Sequence, residues 1–249
     1  TYAEDVVNWV DWSFEGIRTA PPRAGDRVLD VATGPGTLAF EVAKTAARVD
    51  AVDFSPGMIA EVTARAARDG VKNVEGAVMD AQALAFPDAT FDRVYCMFGF
   101  FFFPDRALAF REALRVLKPG GELVIGTWST IDRRPFMKLG FEAMAEALPQ
   151  APLPSKGDLQ QPEDCVREMT EAGFRDVASH RFTASVRVAN AEQYLEMTVR
   201  STAPIALMKK KLGPAWNDMS AKLLDALRKR IPEGGAELSA ESIFTKGTR

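Results

Sequence analysis

Three aspartates in the first third of the chain each follow a short apolar run. Asp30 sits in "RVLDVA" (Arg27–Ala32), Asp53 in "RVDAVDF" (Arg48–Phe54), and Asp80 directly after "VKNVEGAVM". A carboxylate accepts hydrogen bonds from an ammonium, from the two hydroxyls of a sugar diol, or from an exocyclic amine. Between the first two aspartates lies "TGPGT", with Gly34 and Gly36 two residues apart. Glycine permits positive φ and leaves room for a ligand to approach the backbone. The helix that follows such a turn offers free N–H groups at its N-terminus.

The surrounding pattern predicts the elements that hold these residues. "RVLDVA" predicts a strand and "TLAFEVAKTAA" a helix with apolar residues at helical spacing. "RVDAVDF" predicts a second strand. Ser55 is placed as a helix N-cap and Pro56 at the first helical position, with "GMIAEVTARAAR" as the helix. "VKNVEGAVM" and "FDRVYCMF" (Phe91–Phe98) predict strands three and four. "PDRALAFREALRVL" predicts a helix stopped by "KPGG", and "ELVIGTW" (Glu122–Trp128) a fifth strand. Strands alternating with helices predict an α/β fold with a doubly wound, mostly parallel sheet joined by right-handed crossovers. In such sheets ligands bind outside the carboxyl ends of the strands, where all three aspartates fall.

The second half alternates less regularly. Helices are expected over Arg134–Leu148 and within "PEDCVREMTEAGF", with the proline-containing loop "QAPLPSKGDLQQP" between them. "RDVASHRFTASVRV" predicts one long bent strand or two pieces, two or three helices fill Ala191–Ile231, and "ELSAESIFTKGTR" predicts a final strand. A single domain is expected over 1–249: a helical N-terminal segment at 1–24, a ligand-binding core at 25–130, and the remaining strands at 131–249 with a helical cap at about 190–232.

Composition narrows the chemistry. The chain has 249 residues and a net charge of −3, which disfavours a nucleic-acid or anionic-membrane partner. The one dense basic run, Lys209–Lys211, is expected to be a solvated helix end. Two distant cysteines and one histidine, His180, leave a metal site almost no ligands. No apolar run reaches the roughly 18 residues needed to span a bilayer. No signal-peptide pattern is visible, and a reducing cytoplasm is the expected setting. No Ser–His–Asp arrangement or H-x-x-E pair is present.

Spacing alone leaves two ligand classes open. Gly34, Gly36 and Ala39 satisfy G-x-G-x-x-A, with Asp53 at a ribose-binding distance downstream, as in dinucleotide enzymes. A nicotinamide-dependent oxidoreductase is therefore a rival. Asp30 and Asp80 count against it, because carboxylates there repel a diphosphate. Together the three acids suit a ligand with an amino group, a ribose diol and an adenine.

The ordered set "VLDVATGPG", "VDAVDFSPGMI", "MDAQALAFPDATFDRVYC", "FFFPD" and "ALRVLKPGGELVI" resembles the class I S-adenosylmethionine-dependent methyltransferases, in particular the ubiquinone/menaquinone-type and other small-molecule members. The resemblance covers about Gly25 to Trp128. It implies a seven-stranded Rossmann-like sheet with a reversed last strand. It implies that Asp30 and the backbone from Ala32 through Thr33 and Gly34 to Gly36 hold the methionine part of the cofactor. Asp53 would then hold the ribose, Phe54 and Met58 would lie beside the adenosine, Asp80 and Ala81 would read the adenine edge, and Cys96 and Met97 would face the methionine end. The family usually has glycine where this chain has Ala32, and often cysteine at Thr33.

The implied reaction is in-line transfer of a methyl group from S-adenosylmethionine to an N, O or C nucleophile of a small molecule, leaving S-adenosylhomocysteine. Positioning and exclusion of water carry the catalysis, and no metal is needed. A third reading keeps the fold and the cofactor without methyl transfer. No residue is assigned as catalytic; His180 lies in a late strand away from the motif-bearing edge, and Tyr2 or a carboxylate is an alternative base. Trp9 and Trp12, on one helix face, and Phe100 and Phe101, in "MFGFFFFPD", are candidate walls of a substrate pocket, with Phe102 and Phe103 packing beneath the next helix. Apolar walls suit an acceptor that is apolar or aromatic in part.

Overall fold

The structure, a computed structural model, describes residues 9–149, 159–201 and 203–249. Seven strands form one sheet: β1 Arg27–Val31, β2 Arg48–Asp53, β3 Val74–Val78, β4 Phe91–Met97, β5 Leu117–Trp128, β6 Arg175–Val188 and β7 Ala236–Thr248. Their order is β3-β2-β1-β4-β5-β7-β6. Pairing is parallel among β3, β2, β1, β4 and β5, and antiparallel between β5 and β7. The doubly wound sheet with a reversed strand is thus present. Order reverses at β1, which lies between β2 and β4, so the crevice at its carboxyl end is the switch point.

Alternate residues of the central strands feed two cores. Leu29, Val94, Cys96, Leu123 and Ile125 face one side, where they meet Phe110 and Ala113 of α4 (Arg106–Val116) and Cys165 and Met169 of α6 (Pro162–Glu171). Val28, Val49, Ala51, Tyr95 and Val124 face the other, against Leu38 and Phe40 of α2 (Thr37–Val42) and Val62 of α3 (Pro56–Asp69). Burial on both faces explains the near-continuous valine and leucine runs. On that second side Tyr95 donates its hydroxyl proton to the carbonyl of Ala20, just past α1 (Trp9–Thr19).

Ends of elements follow local chemistry. Asp105 caps α4 by accepting from the Leu108 N–H at 2.8 Å. Ser55 precedes α3 without a side-chain cap bond; its N–H instead donates to Asp53 Oδ1 at 2.9 Å. β5 begins at Leu117, before "KPGG"; its pairing with β4 passes from Phe91↔Leu117 to Arg93↔Glu122, so Lys118–Gly121 bulge out of that ladder, with Gly120 left-handed. "RDVASHRFTASVRV" forms one 14-residue strand.

The chain separates into two compact units. One holds Val10–Ser129, Gly157–Phe182 and Ser242–Arg249. The other takes in Thr130–Lys156 and Thr183–Glu241. Its helices are α5 (Pro135–Ala147), α7 (Ala191–Ser201), α8 (Ala203–Leu212) and α9 (Trp216–Arg228). α5 is tied to the end of α9 through Glu146, which accepts from Lys229 and Arg230 at 2.5 and 2.8 Å. α7 is pinned to α5 by Tyr194, whose hydroxyl donates to the Phe136 carbonyl at 2.6 Å. The helices expected in Ala191–Ile231 are thus joined in this unit by α5. Most of the loop "QAPLPSKGDLQQP", and Tyr2, lie outside the described residues.

Candidate active site

Register places the aspartates at one sheet edge. Val31 is level with Val52, and Asp53 with Val78, so the carboxyl ends of β1, β2 and β3 stand side by side. The turn after β1 is stitched to β2: Thr33 donates its N–H to the Val52 carbonyl at 3.0 Å, and Gly34 donates to Asp53 Oδ2 at 2.9 Å. Each Asp53 oxygen therefore already braces one backbone N–H, of Gly34 or Ser55, and keeps a second lone pair. The turn passes through three left-handed residues, Ala32 (φ 55°), Gly34 (56°) and Gly36 (82°). At Gly36 a Cβ would fall 2.9 Å from the Phe40 ring, so glycine is demanded both by conformation and by packing.

Asp30 is only 2% exposed. Its carboxylate accepts from Thr33 Oγ1 at 2.6 Å and from the Ala39 N–H. Among the described residues no cationic side chain pairs with it. Burial pushes its pKa up to about 7, against the hydrogen bonds from Thr33 and Ala39, and the nearby Asp53 charge adds to the rise. A buried carboxylate without a cation is a receptor for a positively charged ligand group. This observation fits the residues to the ammonium of an amino-acid moiety, and it fits a diphosphate poorly.

At β3 the geometry is more open. Asp80 is exposed and accepts from the Gln82 N–H at 2.9 Å and from Gln82 Nε2, which hold its pKa below the usual carboxylate range. Gln82 Oε1 in turn accepts from the Asp105 N–H at 2.8 Å, tying this loop to the start of α4. Ala81 is half-buried against the core. Phe54 is 81% exposed, and Met58 is half-buried in the first turn of α3.

Aromatic residues stand at the ends of β4 and β5: Phe98 directly follows β4, and Trp128 closes β5. Phe98 takes a left-handed conformation (φ 61°) and stacks on Trp128 with centroids 4.2 Å apart. Trp12 of α1 is buried and meets Trp128 edge-on at 5.5 Å. Gly99 follows, where a Cβ would lie 2.6 Å from Cys96 Sγ and 2.7 Å from Ala32 Cβ, so the ends of β1 and β4 close upon each other only because this residue is glycine.

The Methyltransferase domain family matches residues 28–121. The demethylmenaquinone methyltransferase of Beutenbergia cavernae is 34% identical over 188 residues, 70% of this chain and 76% of that one. The chain belongs to the class I S-adenosylmethionine-dependent methyltransferases of the ubiquinone/menaquinone type. The demethylmenaquinone methyltransferase of Clavibacter sepedonicus is 38% identical over 137 residues, 55% of each chain. The chain thus spans about half the length of that relative. Among solved structures, the [4+2]-cyclase SpnF shares the fold with a TM-score of 0.61 at 21% identity, over 96% of this chain and 80% of that one. The dinucleotide reading finds no support among these relatives.

Within this methyltransferase fold the structure corrects several assignments. Phe100, expected at the pocket, is 2% exposed and stacks on Phe110 at 4.1 Å, so it belongs to the core beneath α4. Phe102, expected beneath the helix, is 71% exposed; the short 3-10 turn Phe100–Phe102 points it away from the body. Phe101 is half-buried with its ring 4.5 Å from that of Phe102, and Phe103 packs against the core as expected. Cys96 is fully buried in the core, with its thiol pushed up by burial first and by Asp30 second, so its side chain does not face a ligand. Met97 is half-buried, and a Cβ on Gly16 of α1 would lie 2.6 Å from its Sδ. Trp9 opens α1, and its side chain lies outside the described residues. Phe98 is expected from the sequence at the end of strand four, at the carboxyl edge, and stands just past β4 there; Trp128, which closes β5 at the same edge, is not expected at the site.

Proposed function

We propose that this chain transfers a methyl group from S-adenosylmethionine to a small-molecule acceptor that is apolar or aromatic in part. The observation that carries this reading is the buried, uncompensated Asp30 carboxylate beside the left-handed turn, in a chain of this family. The names of the relatives make a quinol-type ring the first acceptor to test. A cytoplasmic location belongs to the same proposal; among the described residues no helix is long and apolar enough to cross a membrane.

In this reading Asp30 and the backbone of Ala32, Thr33, Gly34 and Gly36 hold the amino-acid part of the cofactor. Asp53 takes the ribose hydroxyls on its remaining lone pairs while its other contacts keep the turn in place. Phe54 and Met58 offer apolar surface to the adenosine, and Asp80 and Ala81 the polar edge for the adenine. Met97 lies toward the methyl end. The bound cofactor supplies a methyl carbon already activated on a sulfonium. The protein's share is to align the acceptor atom and to exclude water. Phe98 and Trp128 offer an apolar surface suited to that task, with Phe101 beside the following turn; Trp12, expected as a pocket wall, is instead buried against Trp128. His180 Nε2 lies 2.7 Å from Glu15 Oε1, half-exposed, and serves to tie α1 to β6; no base role is assigned to it.

Incubation with methyl-labelled cofactor and a panel of quinols, phenols and amines tests the reading. Label appearing in an acceptor, with S-adenosylhomocysteine formed in equal amount, is the expected result. Calorimetric binding of NAD(P) in place of S-adenosylhomocysteine would overturn it. Tight cofactor binding with no transfer to any acceptor would assign the chain to binding without methylation.

A further inference from the structure

The helical unit contains a cation that the proposed reaction has not used. Arg134 immediately precedes α5 and is 8% exposed. Its Nε is buried without a hydrogen-bond partner, and Nη1 lies 3.3 Å from the thioether sulfur of Met137. Thioether sulfur is a weak acceptor. Among the described residues no carboxylate pairs with this guanidinium. Its neighbours are served differently: Arg133 donates to Glu241 at 3.1 Å, and Lys138 to Asp132 at 2.9 Å. Burial pushes the Arg134 pKa down to about 10, with no acidic group opposing the shift, so the side chain is still cationic at neutral pH.

Position sharpens the anomaly. Arg134 is the N-cap residue of a 13-residue helix, with Pro135 at the first helical position and no side-chain cap bond. The Met137 contact lays the guanidinium against the first turn of α5, whose free N–H groups carry partial positive charge. Buried cations are ordinarily paired, and helix N-termini ordinarily face anions. An anion at this point would satisfy both the guanidinium and the helix end. Two apolar residues follow Arg134 in the same turn: Phe136, buried with its ring 4.8 Å from that of Tyr194, and Met137, whose sulfur meets the guanidinium.

We propose that Arg134 is an anion-recognition residue, and that its guanidinium receives a carboxylate carried on an apolar body. This binding site belongs to the helical unit itself, and the assignment stands apart from the function proposed above. A planar carboxylate matches the fork of the guanidinium in a way that an ammonium on lysine does not.

Calorimetry with benzoate, on the full chain saturated with S-adenosylhomocysteine, tests the assignment. Saturable benzoate binding is expected, with neutral benzamide at least tenfold weaker. Arg134→Met should lose benzoate binding at least tenfold, and Arg134→Lys should keep part of it. Both variants should bind S-adenosylhomocysteine like the wild type. The Arg134→Met protein should also be as thermally stable as the wild type or more so, because it discards an unpaired buried charge. Absent benzoate saturation in the wild type, unchanged benzoate binding in Arg134→Met, or a lower melting temperature for that variant would overturn the assignment. Tighter binding of inorganic phosphate than of benzoate would overturn the choice of carboxylate. Failure of S-adenosylhomocysteine to bind the wild type would instead strike the parent function, and benzoate is then titrated alone and judged by the same criteria.

Discussion

Asp30 sets the pH behaviour of the site. Its pKa is about 7 in the fold against an ordinary 3.8, so the folded state holds the proton more tightly than the unfolded chain. Stability of the ligand-free protein therefore falls as pH rises from about 4 to about 7, and the cost is complete above 7. The full cost is roughly 4 kcal/mol as an upper bound. Urea unfolding at pH 5 and pH 8 should show Asp30→Asn gaining stability over the wild type, with the larger gain at pH 8. Cofactor affinity should move oppositely in the wild type, rising through pH 7 as the carboxylate ionises, and the Asp30→Asn substitution should abolish that pH dependence. Asp53→Ala should behave differently. It removes acceptors from the Gly34 and Ser55 N–H groups, so it should lower both stability and cofactor affinity, the latter by about 1.5–3 kcal/mol in a binding titration. Ala32→Gly relieves a left-handed alanine and should raise stability by up to about 1 kcal/mol in the same unfolding assay. The three acids were legible because a carboxylate after an apolar run must fall near a strand end. The charge state of Asp30 was not, because it depends on burial.

Elements decide which aromatic residue does what. Helical spacing predicts that four consecutive phenylalanines diverge, and they do, but the 3-10 turn sends Phe100 inward and Phe102 outward. Phe100→Ala should cost about 3–5 kcal/mol and Phe102→Ala less than about 0.5 kcal/mol in chemical denaturation. Contacts of different kinds hold α1, among them Trp12 on Trp128, Gly16 over Met97, and Glu15 on His180. The Trp pair was half visible, since an apolar helix face was predicted, while its partner on β5 lies more than a hundred residues away. Element ends moved where glycine allowed it, as in β5, which starts before a bulge that turns through the left-handed Gly120.

At the scale of the molecule, two cores on opposite faces of the sheet fix the strands, and the switch point beside β1 fixes the site. Because the proposed cofactor cradle draws on β1, β2 and the loop after β3 together, ligand binding should stabilise the whole unit that contains them. A hundredfold excess of S-adenosylhomocysteine over its Kd contributes about 2.7 kcal/mol, which should raise the melting temperature by about 5–10 °C in a thermal scan. Asp30→Asn should suppress that rise. The helical unit was visible as a group of helices in Ala191–Ile231, but the membership of α5 was not, because it rests on contacts with α7 and α9 far along the chain.

By itself the sequence determined the doubly wound sheet, the succession of its first five strands along the chain and the edge at which its carboxylates stand. These follow from local periodicity, from the glycine turn and from the ordered motifs of one family. Only the tertiary structure decided which groups are buried there. Among the described residues it left Asp30 without a cation, gave one lone pair of each Asp53 oxygen to a backbone N–H, hid Phe100 and Cys96 in the core, and closed the edge with Phe98 and Trp128. Among the same residues it left Arg134 buried at a helix end without a carboxylate. Periodicity reports the face on which a side chain sits. Burial, pairing and charge state depend on what arrives from distant parts of the chain to cover that face.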